Sequence, residues 1–165
     1  MPRKKDKIVA VYFTEPDTQH HEYHPFKNFC CREKDLDGKE KLLVSPKINT
    51  QTFIGNDIAY IDEIEIDSKL KSTDQYIYNY FDYNTNKSLY LTFNDVLKEI
   101  TKRIKNKYAQ VAYDGIFEKI EFSEDEFAKI LSRMSAETHE ISIAQIKSNG
   151  DYDEIIIIRP LKILL

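Results

Sequence analysis

Three groups of residues in this chain have types and spacings that could do chemistry. His20, His21 and His24 stand with Cys30 and Cys31 inside twelve residues. Imidazole and thiolate together suit zinc, so one reading is a zinc site built from this stretch. The spacing fits no zinc-finger pattern, and the plain alternative is a solvated loop whose cysteines pack as small apolar groups.

The second group is acidic: Asp57, Asp62, Glu63, Glu65 and Asp67, followed by Lys69. Asp67-Ser68-Lys69 has the acidic-x-Lys lettering of metal-dependent nucleases, in which carboxylates hold Mg²⁺ and a lysine steadies the attacking water. Such triplets are frequent by chance, and carboxylates along one strand point to alternate faces. A sheet face turned to solvent or to a basic partner is the commoner meaning.

The third group is basic. Lys98, Lys102, Arg103, Lys105 and Lys107 fall opposite an apolar stripe and could follow a nucleic-acid backbone while nearby tyrosines stack on bases. Solvated lysines outside an amphipathic helix are equally ordinary. Acyl transfer finds no support: His139 has no nucleophile beside it, and Ser135 and Ser142 sit in no elbow or triad pattern. Glycines at 38, 55, 115 and 150 are too scattered for a phosphate-cradling loop.

The elements that must position these groups read as follows. Ile8–Phe13 is β-branched and aromatic, hence a strand after a frayed stub at 1–7. The polar stretch 14–41 reads as a long loop. Leu42–Ser45, Thr50–Ile54 and Ile58–Ile66 read as strands. Hairpins are expected around Asn84-Thr85-Asn86, Asp114-Gly115 and Ser148-Asn149-Gly150-Asp151. Phe93, Val96, Leu97, Ile100, Ile104 and Tyr108 recur at helical spacing behind Thr92 and Asp95, which stand in capping-box positions. A shorter helix starts at Ser123 with Glu126 closing its box and Phe122 stapling to Phe127. Ile155–Ile158 lacks alternation, as a strand covered on both faces does, and Pro160 is expected to end it. Hairpins and two helices without regular strand-helix alternation define an α+β fold: a mainly antiparallel sheet with both helices packed on it.

With 165 residues, one domain over 1–165 is expected. No apolar run approaches the roughly 18 residues that span a bilayer, and no basic-then-apolar leader opens the chain. Adjacent cysteines cannot readily pair with each other, which favours a reducing, cytoplasmic setting. The net charge of −4 is blocked, with 51–95 at −5 and 96–119 at +3. An acidic chain without a continuous basic stripe argues against general duplex binding.

Eleven tyrosines, nine phenylalanines and no tryptophan suit a contact surface. Alternation gathers Tyr76, Tyr78 and Tyr80 on one side, either under a helix or facing a partner. Together with Glu63, Glu65 and Asp67, they form the candidate partner-binding set. The leading expectation is a binding protein without catalytic activity: an inhibitor, antidote or regulator of another macromolecule, most plausibly a protein. A composition rich in Ile, Lys and Asn suits a phage or mobile-element source. The alternatives are a metal-dependent hydrolase or nuclease using zinc or the acidic strand, and a sequence-tolerant nucleic-acid binder using Lys102, Arg103 and Lys105.

Overall fold

A computed structural model describes residues 7–13, 28–36, 50–54, 57–65, 69–113, 115–136 and 140–165. In chain order the elements are β1 (Ile8–Phe13), β2 (Phe29–Arg32), α1 (Glu33–Leu36), β3 (Thr50–Ile54), β4 (Asp57–Ile64), β5 (Tyr76–Asp82), β6 (Lys87–Leu91), α2 (Phe93–Arg103), β7 (Tyr108–Tyr113), β8 (Ile116–Glu121), α3 (Glu124–Met134), β9 (Ile141–Ile146) and β10 (Tyr152–Ile163). The fold is α+β, with mixed, mainly antiparallel pairing of ten strands and two helices packed on strands. The residues gather into two compact units. One holds β1–β4, α1 and residues 161–165; the other holds β5–β9, α2, α3 and β10 as far as Pro160.

In the first unit the strand order is β3–β4–β1–β2, antiparallel throughout. Residues 162 and 163 add a parallel pairing to β2, in which the Lys162 N–H donates to the Asn28 carbonyl at 2.9 Å. Strand β2 and helix α1 lie inside the stretch read from sequence as loop. Four residues, Phe29-Cys30-Cys31-Arg32, are too few to show an alternation against polar flanks, so pairing with β1 is what defines them. The expected strand Leu42–Ser45 lies outside the described residues.

In the second unit the order is β6–β5–β10–β9–β7–β8. Both helices cover one face, and Phe127, Leu131, Ile100 and Val96 meet Val111, Ile141, Ile143, Ile156 and Ile158 in its core. A register shift between Glu154 and Ile156 inserts a bulge, and both Ile155 and Ile156 are buried there. Thr92 and Ser123 cap α2 and α3 through side-chain oxygens that accept from Asp95 N–H at 3.4 Å and Glu126 N–H at 3.1 Å. Phe122 and Phe127 stack 6.1 Å apart at the entry to α3.

Two boundaries differ from the pattern-based expectation. Helix α2 stops at Arg103 although the apolar spacing runs on to Tyr108. The Gln145 Oε1 accepts from the N–H groups of Lys105 at 2.8 Å and Asn106 at 3.1 Å, drawing them away from helical partners. Pro160 does not end β10, whose pairing with β9 is over at Ile158 and whose pairing with β2 begins at Lys162. The proline therefore stands between two ladders, where its missing N–H disrupts neither of them.

Candidate functional site

A cleft in the second unit is built from three chain segments. Residues 71–74 make a tight turn in which the Asp74 N–H donates to the Lys71 carbonyl at 3.0 Å and the Lys71 N–H donates to Asp74 Oδ2 at 2.7 Å. That turn sets Thr73, Asp74 and Gln75 at the entry to β5. Tyr76 and Tyr78 follow on the face under the helices, with ring centres 6.3 Å apart. Phe93, the first residue of α2, lies 6.2 Å from Tyr78. Ser132 and Ser135, from the end of α3, complete a cleft of about 280 Å³.

At the floor of the cleft the Ser135 hydroxyl donates to the Leu131 carbonyl at 2.5 Å. The Tyr78 hydroxyl, 2.6 Å from Ser135 Oγ, is then the donor of that second bond. Burial, with the Asp74 charge adding to it, pushes the Tyr78 phenol up to about 12, so it stays a neutral donor. Ser135 has its proton engaged with a carbonyl and no base among its hydrogen-bond partners, an arrangement that holds α3 to β5 and does not prepare a nucleophile. Aromatic walls with one carboxylate at the rim are suited to holding a ligand group without breaking its bonds.

The second feature is the open side of β8, which among the described strands pairs with β7 alone. The Gly115 φ of 77° lets a tight turn join Tyr113 to Ile116. This turn leaves Ile116 54% and Phe117 69% exposed. Phe117, Lys119 and Glu121 alternate onto the sheet face away from the helices. On that face the Lys119 ammonium lies 4.8 Å from the centre of the Tyr108 ring, a cation–π contact. Glu118 points the other way, accepting from the Tyr113 hydroxyl at 2.9 Å and pairing with Arg133 at 3.6 Å.

The residues singled out from sequence fall in different places. Glu63 and Glu65 are exposed in the first unit, Glu63 pairing with Lys7 at 3.7 Å, and Asp67 lies outside the described residues. Tyr78 and Tyr80 are core residues, 2% and 3% exposed beneath the helices, which corrects their placement on an outer contact surface. Only Tyr76 of the three keeps partial access, through the cleft. Alternation had grouped them correctly on one face but says nothing of what covers that face.

On α2, Lys98 pairs with Asp95 at 3.9 Å and Lys102 with Glu99 at 3.6 Å. Arg103 clamps the buried Asp82: its Nε lies 2.8 Å from Oδ2, and Nη2 donates to Oδ1 at 3.3 Å. Lys105 and Lys107 lie beyond the end of the helix, Lys107 being 3.9 Å from Glu121. The basic face is thus interleaved with acids, and Arg103 is turned inward to a structural partner.

His20, His21 and His24 lie outside the described residues. Cys30 and Cys31 are buried in β2 and form no disulfide. As neighbours in a strand they point to opposite faces, and burial pushes the Cys30 thiol up to about 12. Among the described residues no three His, Cys, Asp or Glu side chains stand together as metal ligands would. No helix there is long and apolar enough to cross a membrane.

Asp74 and Phe117 were not singled out from sequence, and Phe93 was read only as part of a helix's apolar stripe. Asp74 and Phe93 meet only through tertiary packing, whereas Ile116-Phe117 next to Asp-Gly was a readable sign of an apolar hairpin tip. Comparison with known protein families, with curated proteins and with solved structures found no match.

Proposed function

We propose that this protein acts by recognising another protein without covalent chemistry, as an inhibitor, antidote or regulator, and that the open side of β8 is its recognition edge. The observation that carries this reading is Phe117, 69% exposed on a strand whose far side pairs with none of the described strands. A free strand edge offers main-chain donors and acceptors to an extended segment, and side chains on alternate positions select it. The fitting segment places an apolar residue against Phe117, an acidic one against Lys119 and a basic one against Glu121, each pair adding about 0.2–1 kcal/mol. Exposed Glu63 and Glu65 give the first unit an acidic patch that suits a basic region of a partner. Two buried cysteines without a disulfide fit a cytoplasmic setting.

The test is affinity purification from the source cell with three proteins: wild type, Phe117→Lys, and Glu63→Lys with Glu65→Lys. Wild type retains a stoichiometric partner and Phe117→Lys loses it while melting unchanged. The double charge reversal weakens capture if the acidic patch contributes. Full retention by Phe117→Lys contradicts the proposal for β8.

A further inference from the structure

The cleft between the 71–74 turn, the start of α2 and the end of α3 has a chemistry of its own, independent of β8. Asp74 is the only formally charged residue lining it, and none of its lining residues is Lys, Arg or His. Among the described residues the Asp74 carboxylate takes one hydrogen bond, from the Lys71 amide to Oδ2. Tyr76 and Phe93 each stand within about one ring-stacking distance of Tyr78, and the three supply aromatic surface. The end of α3 adds Ser132, and carbonyls at a helix C-terminus carry partial negative charge. The start of α2, which alone would favour an anion, already has Thr92 as its cap and Asp95 in its first turn.

We infer that this cleft binds a single organic cation, an ammonium or guanidinium group on an alkyl stem, with the stem against Tyr76 and Phe93 and the charge at Asp74. Its volume of about 280 Å³ is that of a side chain or small amine and too small for most drug-sized ligands. Aromatic faces and a carboxylate both attract a positive charge, whereas either would repel a phosphate or a carboxylate ligand. The group can arrive as a basic side chain of a protein partner or as a free amine.

Amide NMR of the full chain, titrated separately with n-butylammonium chloride, Nα-acetyl-lysine amide and the neutral analogue n-butanol, tests the inference. Both cations produce saturable shifts at Thr73, Gln75, Tyr76 and Phe93, and n-butanol produces none. Tighter binding of the capped lysine assigns the site to a protein side chain; tighter binding of butylammonium assigns it to a free amine. Asp74→Asn keeps an oxygen to accept the Lys71 N–H and removes the charge, and it weakens the cations about tenfold. Equal binding of n-butanol, unchanged affinity in Asp74→Asn, or no saturable shift with either cation overturns the inference. Loss of partner capture in Phe117→Lys leaves these outcomes untouched, so the two proposals stand or fall separately.

Discussion

Arg103 is where the structure departs most from a surface reading of its sequence, and replacing it with alanine is the sharpest test of that placement. The change leaves the Asp82 carboxylate, 5% exposed, with the Asn84 N–H at 2.9 Å as its remaining hydrogen-bond donor. Breaking a buried ion pair from one side costs about 3–5 kcal/mol. The Arg103 side chain is 33% exposed, so water can reach the vacated position, and the expected cost falls to about 2 kcal/mol. For a chain of this size that is a fall in Tm of about 4–8 °C. Lys102→Ala, two-thirds or more exposed and paired only with Glu99, serves as control and costs less than about 0.5 kcal/mol. Urea and thermal unfolding followed by circular dichroism measure both. Combining Arg103→Met with Asp82→Asn recovers part of the loss, because the uncompensated charge is gone. Equal, small effects of Arg103→Ala and Lys102→Ala would refute the inward clamp and return Arg103 to the basic surface.

Two further outcomes follow from the buried phenols. The Tyr80 hydroxyl is buried without a hydrogen-bond partner among the described residues, so Tyr80→Phe stabilises the protein by about 1 kcal/mol in urea unfolding; a loss of that size instead would mean that the hydroxyl is satisfied. Tyr78 titrates near 10 when unfolded and is held near 12 when folded, so between these values the unfolded chain binds fewer protons and stability falls as pH rises. Tyr78→Phe, which loses the bond to Ser135, is less stable than wild type at neutral pH, and without the phenol it shows a shallower alkaline decline from pH 10 to 12; an unchanged alkaline decline would count against the buried, neutral phenol.

Local rules recovered much of the fold. Thr92, Ser123 and Glu126 marked both helix starts, because capping depends on residues three apart. Asp114-Gly115 and Gly150 marked hairpins, since positive φ is a property of few residue types. The isoleucine run 155–158 announced a covered strand, and all four residues are buried. What stayed hidden depends on partners distant in sequence. Gln145 terminates α2 from about forty residues away, and β2 exists through pairing with β1 on one side and with the far end of β10 on the other. Asp82 and Arg103 lie 21 positions apart, with nothing in their spacing to join them. The cleft is of the same kind: Asp74, Phe93 and Ser135 come from three elements, and its charge balance becomes visible only when they meet.

The proposed function rests on β8 as a strand edge completed by another protein. Hydrogen exchange of the purified complex, read at the amides of Ile116–Glu121 against the free chain, tests that most directly. Slowed exchange of the outward-pointing β8 amides, with β6 unaffected, is the expected result. Exchange along β8 that is the same in the free and the bound chain would contradict the account.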